Sequence, residues 1–230
     1  MGLTIFVGLG AALRAEGDEE AVEQLEGEFE VVNDLLESFG LPPHQEPYEL
    51  DAQNIVSLDL YGYSGLHQLR RVAAHLALGE ELPPPGDAEA AQDPALQDYY
   101  RLFDDNMLEG KAGSMRFQHL IIHSDAEGFY LPAEFDEVLV AEPSLEVPGD
   151  TVGSSPRLLE ECLELARALE LPDGLDPESE EVLQAADAGG GGEGEAGAGW
   201  RRYGVESHTC LALIRACRAS VETGAAVVFS

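Results

Sequence analysis

From Ala15 to Leu69 the chain carries fourteen Asp and Glu residues and no Lys or Arg. Within that stretch Val22, Leu25, Phe29, Val32 and Leu36 recur at three- and four-residue spacing, which predicts one buried face of a helix over about 19–39. A segment of this kind folds only if its apolar stripe is laid on a larger body. Glu19, Glu23, Glu26, Glu30, Asp34 and Glu37 must then turn outward. Like charges one turn apart cost a few tenths of a kcal/mol per pair. The acidic face is therefore either solvated in salt or turned toward a cationic partner.

The whole chain has the same sign. Its 230 residues hold 45 Asp and Glu against 12 Lys and Arg, a formal net charge of -33. A deficit of cations on this scale argues against nucleic acid or anionic lipid as a partner, because both are held by Lys and Arg. It favours a basic protein, metal cations, or plain solubility in salt. The hydrophobic share of 44% is enough for a packed core, and the length suits a single domain over 1–230. No apolar run reaches the roughly 18 residues of a membrane span. Met1–Val7 lacks a basic leader region and reads as a first strand. A cytoplasmic protein with no membrane partner is the expectation. The three cysteines, Cys162, Cys210 and Cys217, form no C-x-x-C pair and sit in apolar helical patterns, so they read as reduced core residues.

Strands are predicted at 3–8, 55–60, 117–122, 138–140 and 226–229. Helices are predicted after Asp18, Ser64, Asp93, Ser155 and Asp176, with a last one from about Trp200 to Glu222. Interleaved without strict alternation, these elements give an α/β or α+β class: a single sheet of about five strands covered by about five helices. Residues 80–92 and 188–199 read as flexible surface insertions.

Three stretches carry chemistry-bearing residues. If a strand runs through 117–122 and beyond, His119, His123, Asp125 and Glu127 share one side. His119, His123 and Asp125 could then ligate a divalent metal, with Glu127 as general base on a bound water. Turn capping by His123 to Asp125 explains the same residues without a metal. Ser64 lies between a strand and a helix, the setting of a nucleophile elbow. However, Leu66 stands where that motif needs glycine, and a helix N-cap accounts for the serine. Gly8-Leu-Gly10 lacks the third glycine of a dinucleotide loop. Tyr61, Tyr63, Ser64, His67, Phe129 and Tyr130 are candidates for lining a cleft near 123–132.

Gly2-Leu-Thr-Ile-Phe-Val-Gly-Leu9, Tyr63-Ser-Gly-Leu-His-Gln-Leu-Arg-Arg71, His123-Ser-Asp-Ala-Glu-Gly-Phe-Tyr-Leu-Pro132 and Gly153-Ser-Ser155 resemble segments of an uncharacterised bacterial protein family. The resemblance implies a bacterial cytosolic domain and no particular activity. The residues themselves lead to an acidic protein-binding domain without a cofactor. Its model is an immunity or inhibitor protein that neutralises a basic partner such as a nuclease toxin. The rival is a small metal-dependent hydrolase built on His123, Asp125 and Glu127. A further alternative is acidity that serves only solubility or salt adaptation. Oligomeric state is not legible at this level.

Overall fold

The computed structural model describes residues 3–86, 89–188 and 199–229. The expected insertion at 188–199 falls almost wholly outside the described residues. So do Asp87 and Ala88 of the 80–92 stretch. Its preceding part is held in place: the Tyr203 hydroxyl donates to Pro83 O at 2.9 Å and Arg71 donates to Pro84 O at 3.2 Å.

The described residues form one six-stranded sheet and eight α-helices, an α/β arrangement with one strand more than expected. The strands are β1 (Thr4–Val7), β2 (Val56–Asp59), β3 (Gly128–Leu131), β4 (Leu139–Val140), β5 (Thr151–Ser154) and β6 (Val227–Phe229), in the order β2-β1-β6-β3-β5-β4. Only β3 and β5 pair in parallel. The N-terminal strand lies inside the sheet, antiparallel to β2 on one side and β6 on the other.

Each sheet face has its own core. One is covered by α3 (Gly62–Ala77), α4 (Pro94–Glu109), α5 (Gln118–Ile121), α6 (Ser155–Ala168) and α8 (Gly204–Thr223), with α7 (Glu180–Asp187) packed on α8. Leu66, Leu69, Leu120, Leu158, Cys162, Leu213 and Cys217 are among its fully buried residues. The three cysteines are free and buried. The other face is covered by α1 (Leu9–Glu16), α2 (Glu19–Ser38) and the segment between β3 and β5. Here Leu25, Phe29, Val32, Leu35 and Leu36 of α2 pack on Phe129, Leu131, Val152 and Val228 of the sheet. Phe29 is the pivot, its ring centroid 4.8 Å from Phe129 and 5.2 Å from His44. The Asp18 side chain caps α2 by accepting from Ala21 N at 3.1 Å.

Two local expectations are corrected. Residues 117–122 are not a strand. Phe117 has φ 63°, and α5 follows it. The Glu161 carboxylate, on α6, accepts the free N–H groups of His119 and Leu120 at 3.0 and 2.8 Å. That long-range cap satisfies the backbone of a single helical turn. A short apolar run looks the same from its sequence in either conformation. Ser64 is not the N-cap of α3, which begins two residues earlier; its hydroxyl donates to Tyr61 O at 2.9 Å. Gly8 and Gly10 flank the start of an unexpected helix, α1. Gly8 has φ 77°, and a Cβ on Gly10 would lie 2.7 Å from the Tyr48 ring.

Phe29→Ala should destabilise the chain by about 3–5 kcal/mol, read as a lower urea midpoint, and Phe29→Leu by clearly less. Equal costs for the two would mean that the Phe29–Phe129 contact does not anchor α2.

Candidate functional site

Among the described helices, α2 carries the most carboxylates, on its outward side. Glu19, Glu23, Glu26, Glu30, Asp34 and Glu37 are all exposed, as the helical spacing requires. Glu20, also exposed, and the half-buried Glu28 complete a set of eight carboxylates on twenty residues. These two were missed because they lie beside the row rather than on it; a count of all acids on the helix recovers them. At 1.5 Å per residue the helix is about 30 Å long, so carboxylates recur about every 4 Å along its axis. The only ion pair α2 makes among the described residues is the exposed Arg14–Glu26 contact at 3.5 Å. Arg14 also stacks over Tyr48, 4.7 Å from the ring centroid.

The charge is distributed unevenly between the two layers. Residues 9–55 hold thirteen Asp and Glu, residues 132–150 hold six, and the two segments share a single cation, Arg14. The other eleven cations lie in the remaining segments, where many are tied to carboxylates. Examples are Arg71 to Asp93 at 2.7 Å, Arg201 to Glu181 at 2.6 Å and Arg215 to Glu178 at 2.5 Å. Arg157 reaches from α6 to Asp136 at 2.6 Å. Arg70 is buried and serves the backbone instead, donating to Leu120 O at 2.7 Å and Ser124 O at 3.1 Å.

His119, His123 and Asp125 are not brought together. With 117–122 turned into a helix, period-two alternation no longer applies. His119 is buried and its Nδ1 accepts from Ser154 N at 3.1 Å. His123 is buried with its two ring nitrogens 3.0 Å from Ser124 O and 3.0 Å from Phe129 O, and its ring stacks on Tyr130 at 3.9 Å. Asp125 faces away and pairs with His67 at 2.9 Å. Glu127 is exposed on the turn before β3. Among the described residues no group of three or more His, Cys, Asp and Glu is placed to hold a metal ion.

The cleft candidates separate as well. Phe129 and Tyr130 are neighbours on β3 and point to opposite sheet faces, each into a different core. Tyr61 donates to Asp187 at 2.7 Å, and the His208 ring stands edge-on to it at 5.0 Å. Ser64 is exposed. The side chain of Tyr63 lies outside the described residues. Burial lowers His119 to about 3 and His123 to about 4. Burial pushes the Glu161 carboxyl up to about 8 against the two N–H bonds it accepts. These perturbed groups fasten α5 and its turn to the sheet rather than meeting in one reactive centre.

A search of the curated proteins finds no match, nor does a search of the solved structures. A family model described as "Putative DNA-mimic protein" matches residues 1–229, and the chain belongs to that family. An acidic protein-binding surface is what such membership entails. The expectation that nucleic acid has no part in the partnership is corrected by it. The cation deficit measures what the chain can hold. It does not register that a surface shaped by the same charge can stand in for the nucleic acid itself.

Unfolded imidazoles near 6.5 take up protons that His119 and His123 refuse while buried. Their contribution to stability is complete above about pH 6.5 and is lost as pH falls toward about 4. Urea midpoints should fall over that window, less steeply than two histidines alone would give, because Glu161, held near 8, gains stability as pH falls from about 8 toward 4.5. Between pH 7 and 5 the ring resonances of both should neither titrate nor shift when zinc is added. A zinc-dependent shift would revive the metal centre.

Proposed function

We propose that the chain occupies the DNA-binding surface of a basic protein and thereby keeps duplex DNA off it. The observation that carries this reading is the acidic outer side of α2, on a chain that belongs to a DNA-mimic family. One strand of a duplex presents a phosphate every 3.4 Å of axis, and the two strands together one every 1.7 Å. Eight carboxylates over about 30 Å approach the density of a single strand. They are held on a preformed helix, so this surface does not have to fold on binding. A surface evolved to release counterions from DNA meets comparable charge here, and rapid, salt-sensitive association follows.

The partner's chemistry is therefore a track of Lys and Arg at phosphate spacing. The chain acts as an inhibitor of the immunity type, and a basic nuclease is one protein that fits.

Proteins of a bacterial extract retained on DNA-cellulose should provide the test. Added chain should release a discrete subset, and release should weaken steeply as salt rises from about 0.1 to 0.5 M. A variant with Glu19, Glu23, Glu26, Glu30 and Glu37 changed to Gln and Asp34→Asn should release none of it. That variant should be as stable as the parent or slightly more so, since like-charge pairs are removed. If nothing is released, or if polyglutamate of equal charge releases the same proteins, the reading fails.

A further inference from the structure

Beside the acidic row lies a cleft of about 450 Å³ between α1, α2 and one end of the sheet. Its floor is apolar, built from Leu13, Leu25, Phe129 and Val228. Glu28 of α2 and Glu127 of the turn before β3 both line it, so its walls come from two different elements. Among the described residues neither carboxylate is ion-paired, and Gln24 donates to one Glu28 oxygen at 2.9 Å. The Glu127 wall is fixed by backbone packing. Gly149 has φ 71°, and a Cβ there would lie 2.4 Å from Glu127 O. Gly128 has φ 118°, and a Cβ there would lie 3.0 Å from Pro148 O. Two turns thus close on each other and hold the rim in one geometry.

We propose that this cleft receives one arginine side chain of the partner protein. The proposal rests on the DNA-mimic reading and extends it from a charged row to a socket. An arginine has an apolar stem for the Leu25, Phe129 and Val228 floor and a planar head with donors for both walls. A lysine ammonium is a point charge with a stronger hydration shell, so it gains less from two separated carboxylates. DNA-binding proteins insert arginines into the negative, narrow minor groove. A cleft with acidic walls next to a row of carboxylates reproduces that combination of groove and backbone.

The test uses n-butylguanidinium as probe, followed by methyl NMR on the intact chain at about 0.15 M salt, where loose attraction to the surface is screened. Saturable shifts confined to Leu13, Leu25 and Val228 are expected. In the Glu28→Gln/Glu127→Gln variant binding should weaken about tenfold. 1-Butanol should leave these methyls unshifted, and n-butylammonium should bind more weakly. Absence of shifts, shifts spread along α2 and beyond, equal binding by butanol or butylammonium, or indifference to the double variant would each overturn the socket. Should DNA-cellulose release persist while butylguanidinium fails, the socket falls and the mimic reading stands. Should butylguanidinium bind while nothing is released from DNA, the mimic reading falls and the cleft remains a guanidinium site.

Discussion

Everything on the acidic side of the molecule depends on the underside of α2 being worth more than the repulsion along its top. Six like-charge pairs stand three or four residues apart on this helix: Glu19 and Glu20 with Glu23, Glu23 with Glu26, Glu26 with Glu30, Glu30 with Asp34, and Asp34 with Glu37. At a few tenths of a kcal/mol each they oppose the helix by about 1–3 kcal/mol. Against this, Val22, Leu25, Phe29, Val32, Leu35 and Leu36 are buried. Each contributes on the order of 1.5–3 kcal/mol, an upper estimate because unfolded chains already bury some apolar area. Packing wins by several-fold. The acids are therefore free to be chosen for what they meet outside the molecule.

The rest of the architecture follows from this asymmetry. One sheet face needs a thick cover of several helices, and several cations stitch that cover together through pairs such as Arg71–Asp93, Arg116–Glu164 and Arg201–Glu181. The other face needs only α1, α2 and the segment after β3, held by rings and aliphatic side chains around Phe29. A layer held mainly by apolar contact can leave most of its charge unneutralised. Buried polar groups at the joint between the layers, notably Glu161, His119 and His123, locate β3 and its preceding turn.

The helix α2 and its acidic row were readable because one element displays both the period and the charge. β1 was readable as a strand from its apolar run. The segment 117–122 was not, since what makes it helical is a carboxylate more than forty residues further along the chain. With that error went the alignment of His119, His123 and Asp125. Strands β3 and β5 are four residues each and buried throughout, so neither shows the alternation that marks a half-exposed strand. The cleft drew its residues from α1, α2, the turn at 126–127, β3, Pro148 and β6, a set that only the sheet order assembles. Charge alone pointed to a protein-binding surface of acidic character, which membership of a DNA-mimic family supports. It misjudged the relation to nucleic acid because the same sum of charges repels DNA and resembles it.

The segregation of cations has a consequence at distances longer than any contact. With nineteen acids and one arginine, net -18, on the 66 residues of 9–55 and 132–150, and twenty-six acids with eleven cations, net -15, on the other 164, the negative charge is far denser in those two segments, and its centre lies off the centre of the molecule. A positively charged body approaching through solvent exerts a torque on it, so α2 swings toward the partner before the two surfaces touch. Diffusional encounters then arrive already oriented, and fewer collisions are wasted on the wrong side.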